Sequence, residues 1–162
     1  MRTMADTTSS VDEAALVEIA RILALKVGDG GVIHLQGPLG AGKTTFARAL
    51  LRALGVGERV KSPTYTLIET YTLPHLIVHH LDLYRIAAAD ELEWLGLRDL
   101  AAGEQLWLIE WPEHGAGATP PADLVIRLDH AGAVRNLEMT GATERGRDWL
   151  IHQSSREVSE DS

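Results

Sequence analysis

Apolar positions along the chain fall into short blocks whose spacing alternates between helical and extended periods. Ser10-Val11-Asp12-Glu13 has the S-x-x-E form of a capping box. The Ala-, Leu- and Ile-rich run that follows predicts a helix to about Val27, ended by Gly28. Before it, Met1 to Ser9 is polar and aperiodic and reads as a flexible leader. Val32 to Leu35 is a glycine-bounded apolar run, as expected of a buried strand. Gly37 to Gly42 is a glycine-rich loop. From Lys43 to Leu54, Phe46, Ala47, Leu50, Leu51 and Leu54 share one helical face, and Gly55 stops the helix.

Beyond Gly55 the period shortens. Ser62-Pro63 marks a turn, and the stretch Lys61 to Tyr71 then alternates as a strand does, with Leu76 to Leu81 as its hairpin partner. Asp90 to Leu95 reads as a short helix, Gln105 to Trp111 as a buried strand, and Pro112 to Pro121 as a loop. Leu124 to Leu128 and Val134 to Thr140 are close enough in sequence to pair antiparallel. A helix around Arg145 to His152 and a polar tail from about residue 153 complete the pattern. There is no internal repeat and no long linker. The alternation predicts one α/β domain over residues 1–162, a three-layer sandwich with a mixed central sheet and antiparallel flanking strands.

Composition narrows the function. The 162 residues suffice for a core without staples, and with no cysteine there is neither a disulfide framework nor thiol chemistry. No apolar run approaches the roughly 20 residues that span a bilayer, so a cytoplasmic protein with no membrane contact is expected. The formal net charge of −8 repels a polyphosphate backbone, so any contact with RNA is expected to run through a partner protein.

Against that overall sign, one segment is built for anions. Gly37-Pro38-Leu39-Gly40-Ala41-Gly42-Lys43-Thr44 satisfies G-x-x-x-x-G-K-[ST] between a predicted strand and a predicted helix. Its glycines let successive amides turn inward, and the helix from Lys43 through Thr45 adds its positive end. Lys43 would reach the β- and γ-phosphates and the Thr44 hydroxyl would lie on Mg²⁺. Guanine readers carry N-K-x-D; the only asparagine here, Asn136, precedes Leu137, so ATP is favoured over GTP.

A phosphate loop needs an acid to hold its metal, and two strand ends offer one. Leu106 to Ile109 is apolar until Glu110, whereas the other run reaches Asp82 through His79 and His80; Glu110 is preferred. Successive positions of a strand face opposite ways, so His79 and His80 cannot chelate together and read as packing or hydrogen-bonding residues. Trp107 reads as core, Glu91 and Glu93 as solvated charges. Trp111, where the chain leaves the sheet, is a candidate contact for nucleotide or partner.

The segments GPLGAGKTTFARAL, VKSPTYTLIETY, HHLDLYR, DELEWLGLRDL and LIEWPE, in this order and spacing, resemble the bacterial TsaE (YjeE) family over about half of the chain. The resemblance implies a P-loop ATPase that works with TsaD and TsaB to attach threonylcarbamoyl to an adenosine beside the tRNA anticodon. It implies phosphate and magnesium roles for Lys43 and Thr44, a second metal ligand in Glu110 and a hydrolytic role for Asp82. It further implies a γ-phosphate-sensing segment at Thr64 and a position near the nucleotide for Arg135. The family usually has an acid where this chain has Pro38, which removes one loop N–H.

Two other classes fit a small P-loop chain. A small-molecule kinase needs an arginine-bearing lid, and Trp111 to Leu124 contains no arginine. A nucleotide-regulated binding module would need no hydrolytic acid, so Asp82 discriminates it.

Overall fold

The computed structural model describes residues 7–87 and 105–150. Its frame is one seven-stranded sheet: β1 (Thr7–Val11), β2 (Gly31–Gln36), β3 (Ile68–Thr72), β4 (Ile77–Asp82), β5 (Gln105–Glu110), β6 (Leu124–Ala131) and β7 (Val134–Gly141). The spatial order is β1-β7-β6-β2-β5-β4-β3. The four central strands β6, β2, β5 and β4 are parallel neighbours, while β1 and β7 on one flank and β3 on the other pair antiparallel. This is the mixed α/β sheet with antiparallel flanks that the sequence predicts.

The two main helices, α1 (Glu13–Ala24) and α2 (Lys43–Leu54), pack on one face of the sheet. Leu16 and Leu23 of α1 and Phe46, Leu50 and Leu51 of α2 meet Ile33, Leu35, Leu106 and Leu108 in one core cluster. Full burial of such side chains stabilises by about 1.5–3 kcal/mol each. Residues 144–150 are helical and add Trp149 and Leu150 to the same cluster. The opposite face carries a smaller cluster of Leu81, Leu83, Ile86, Trp107 and Ile109. The helix expected at Asp90 to Leu95, the last two residues of the one expected to end at His152, and both chain ends lie outside the described residues.

Besides β6, which runs on to Ala131 past the expected Leu128, three boundaries differ from expectation by more than a residue. Residues 7–11 form an edge strand on β7, where the sequence suggests a leader and then a capping box. The α1 cap is accordingly Asp12, whose carboxylate accepts the Ala15 amide at 2.8 Å, and not Ser10. The helix also closes at Ala24 with Leu25 as its C-cap, ahead of Gly28. Third, β3 starts at Ile68: the Leu67 amide closes a turn onto the Pro63 carbonyl at 2.8 Å, which takes Lys61 to Leu67 out of the ladder.

This topology places chemistry at one edge. Ligands of open α/β sheets bind where parallel strands end at their carboxyl termini. Here β2 runs into the glycine loop, β4 ends at Asp82 and β5 ends at Glu110.

Candidate functional site

The loop from Gly37 to Gly42 is shaped by two close approaches. Gly37 has φ 142°, and a Cβ there would sit 2.1 Å from the Leu128 carbonyl oxygen. Gly42 has φ 110°, and a Cβ there would sit 2.8 Å from Nε of Arg135. Only glycine meets both demands. Pro38 contributes through its carbonyl, which accepts from the Ala41 amide at 3.2 Å and from Lys43 Nζ at 3.0 Å. Gly42 offers no side chain to cap α2, so the first-turn amides of Lys43, Thr44 and Thr45 face the mouth of the site without a cap.

Lys43 is buried despite its charge. Its ammonium donates to the Gly37 and Pro38 carbonyls and lies 4.0 Å from the centre of the Trp111 ring. Burial pushes its pKa down, and the nearby carboxylates of Glu110, Glu113 and Asp82 oppose that shift. The cation is thus held on weak partners that a polyphosphate can replace.

Asp82 and Glu110 end neighbouring parallel strands in register with one another. Glu110 is buried; its Oε1 accepts the Thr44 hydroxyl at 3.0 Å and its Oε2 pairs with His80 Nε2 at 2.7 Å. Asp82 Oδ1 accepts the Tyr84 amide at 3.0 Å. Burial pushes the Asp82 carboxyl above its ordinary range and the Glu110 charge adds to that, while the Tyr84 amide, His80 and Lys43 pull the other way. Between the two acids the sequence offered, it is Glu110 that meets Thr44. No cluster of three or more His, Cys, Asp or Glu side chains that could cage a metal occurs among the described residues. A hydroxyl and one carboxylate are nevertheless the oxygen pair that suits Mg²⁺, which keeps waters and takes phosphate oxygens for the rest of its shell.

Leu39, Gly40, Gly42, Lys43, Thr44, Thr45, Thr64, Asp82, Glu110, Trp111 and Arg135 all line one cavity of about 360 Å³. Gly37, Pro38 and Ala41 stand behind that lining; Ala41 is in the core. Thr64 shares a 2.7 Å hydrogen bond with Ser62. Arg135 reaches the cavity from β7, and its Nε is buried without a hydrogen-bond partner. Trp111 sits at φ 58°, a left-handed conformation rare outside glycine and asparagine, which turns its ring over Lys43.

Two lining residues escaped the sequence reading. Tyr84 packs against Trp111 with the rings tilted at 46° and their centres 5.0 Å apart, and Arg85 lies 4.5 Å over the exposed ring of Tyr65. Both lie in the DLYR segment, whose strand-end position was the available signal.

Comparison with known proteins agrees with this geometry. Residues 10–137 match the family model described as "Threonylcarbamoyl adenosine biosynthesis protein TsaE". A curated relative from Haemophilus influenzae, named tRNA threonylcarbamoyladenosine biosynthesis protein TsaE, is 41% identical over 129 residues, 80% of this chain and 82% of its own. A protein of the same name from Bacillus subtilis is 39% identical over 114 residues, covering 70% and 71% of the two chains. The crystal structure of Bacillus subtilis YdiB superposes with a TM-score of 0.70 at 26% identity, covering 94% of this chain and 96% of that one. The chain belongs to the TsaE family.

Proposed function

We propose that this protein is the Mg²⁺-dependent, ATP-hydrolysing component of tRNA threonylcarbamoyladenosine biosynthesis, acting with TsaD and TsaB. The observation that carries the reading is the 3.0 Å contact from the Thr44 hydroxyl to Glu110, inside the cavity that Lys43, Asp82 and Trp111 also line.

The amides around Gly40 and Gly42 and the first turn of α2 would receive the phosphate chain of ATP. Lys43 would exchange the Gly37 and Pro38 carbonyls for phosphate oxygens, a charge-assisted contact in place of two neutral ones. Thr44 and Glu110 would hold Mg²⁺, which when bound offsets charge on the β- and γ-phosphates. Asp82, half-buried with its carboxyl raised above the ordinary range, would accept a proton from, or orient, the attacking water. Trp111 and Arg135 would flank the nucleotide, and the Thr64 segment would sense its terminal phosphate.

The partners are inferred from the family. A net charge of −8 disfavours unaided tRNA binding, and no helix among the described residues is long and apolar enough to cross a membrane. The test is ATP turnover by the chain alone and with TsaD and TsaB. Slow turnover alone, rising at least about tenfold in the mixture, supports the reading, since a partner that completes a phosphoryl-transfer site is worth this much or more. Turnover that the partners leave unchanged contradicts it.

A further inference from the structure

His80 is a core residue with a polar task. Its neighbours in the sheet core, Val78, Leu106 and Leu108, are apolar, and its own side chain is 2% exposed. Nε2 meets Glu110 Oε2 at 2.7 Å, and Nδ1 is buried without any hydrogen-bond partner. A residue kept for packing alone would do better as leucine, because the orphaned ring nitrogen carries a desolvation penalty that an aliphatic side chain avoids. His79 next to it shows the contrast. Both of its ring nitrogens are partnered, by Thr70 and by Gln105, as a structural histidine requires.

The geometry also fixes what the contact does. His80 lies two residues before Asp82 on β4, and Asp82 is in register with Glu110 on β5, so the imidazole reaches diagonally to a carboxylate two residues along the neighbouring strand. It occupies one carboxylate oxygen and leaves Oε1 to the Thr44 hydroxyl on the cavity side.

We propose that His80 is a positioning residue for the cation site: by donating Nε2–H to Glu110 it fixes the carboxylate plane so that Oε1 and the Thr44 hydroxyl face a divalent metal together. The proposal rests on the Mg²⁺-nucleotide reading above. Outer-shell partners of this kind typically change metal affinity 10- to 100-fold when removed.

The test is the affinity of the protein–ADP complex for Mn²⁺, followed by electron paramagnetic resonance, in full-length protein. Wild type is compared with His80→Met, which lacks a donor, and His80→Gln, whose amide can still donate at the same reach. Mn²⁺ affinity should fall about tenfold in His80→Met and return to within about threefold of wild type in His80→Gln. Metal-free ADP affinity, measured in EDTA, should be equal in all three. In a Glu110→Gln background, His80→Met should add no further loss. Where His80→Met does not fold, His80→Asn, polar but too short to reach Glu110, takes its place with the same expected loss. Equal Mn²⁺ affinity in all variants overturns the positioning role alone, as does a glutamine variant as weak as methionine. Absence of any Mn²⁺–ADP uptake by folded wild type overturns the parent reading with it.

Discussion

The ammonium of Lys43 lies 4.0 Å from the centre of the Trp111 ring, so the cation of the glycine loop rests on the residue that leaves the strand carrying Glu110. Phosphate arriving in the cavity would draw the lysine away from carbonyls and ring alike. The indole would report that movement. Adding Mg²⁺ and ADP should change tryptophan fluorescence, and Trp111→Phe should abolish most of the change even though Trp107 and Trp149 remain in the core. An unchanged response in Trp111→Phe would remove Trp111 from the site.

Asp82 and Glu110 stand side by side, yet the proposed function gives them different work. Asp82→Asn keeps the shape and removes the proton acceptor, so single-turnover hydrolysis should fall about 10²- to 10⁴-fold. Nucleotide affinity, measured by calorimetry, should stay within about threefold, because Lys43, Thr44 and the loop amides are untouched. A variant with wild-type hydrolysis would favour a binding switch with no hydrolytic acid at that position.

Glycines on either side of α2, Gly37 in the loop before it and Gly55 at its C-cap, separate close approach from backbone strain. Gly55→Ala meets nothing within 4 Å and suffers only its φ of 112°, which costs about 1–2 kcal/mol. Gly37→Ala drives a methyl against the Leu128 carbonyl and should destabilise by more than about 4 kcal/mol or prevent folding. Thermal denaturation of the two variants measures the difference; equal melting temperatures would contradict the packing of the loop on β6.

Burial lowers the pKa of His79 below its ordinary value, against the opposing hydrogen bond that its ring donates to Gln105, and burial also lowers that of His34. The sign follows from linkage. A base whose folded pKa is depressed is protonated first in the unfolded chain, so its contribution is fully present above the unfolded value of about 6.5 and is lost as pH falls below it. Melting temperature should therefore drop from about pH 6.5 downward, and His79→Gln should flatten the slope. A slope unaltered by that substitution would place the titration elsewhere.

Legibility in the sequence tracks how local the determinants are. The glycine loop was readable because its residues are contiguous and its conformation is set by glycines, and the helix behind it because Phe46, Leu50 and Leu51 mark a face. Glu110 was readable as the polar end of an apolar strand. β1 was not: Thr-Thr-Ser-Ser has no alternation, and its pairing is supplied by the backbone of β7, which lies more than a hundred residues downstream. That strand then displaced the predicted cap, because a chain extended through Val11 brings Asp12, and not Ser10, to the helix start. The contacts of Arg85 and His80 were hidden for a related reason. Each depends on a neighbour across space, Tyr65 or Glu110, that sequence order does not bring near.

In the proposed function, Lys43, the loop amides and the Thr44–Glu110 pair together bind a magnesium nucleotide. Isothermal titration calorimetry of wild type, Lys43→Ala and Glu110→Gln with ADP, in Mg²⁺ and in EDTA, tests it most directly. Wild type should take up ADP with an affinity that weakens at least about tenfold in EDTA, Glu110→Gln should show no such metal dependence, and Lys43→Ala should lose measurable binding. Binding by Lys43→Ala as tight as wild type, or no uptake by folded wild type with Mg²⁺ present, would contradict it.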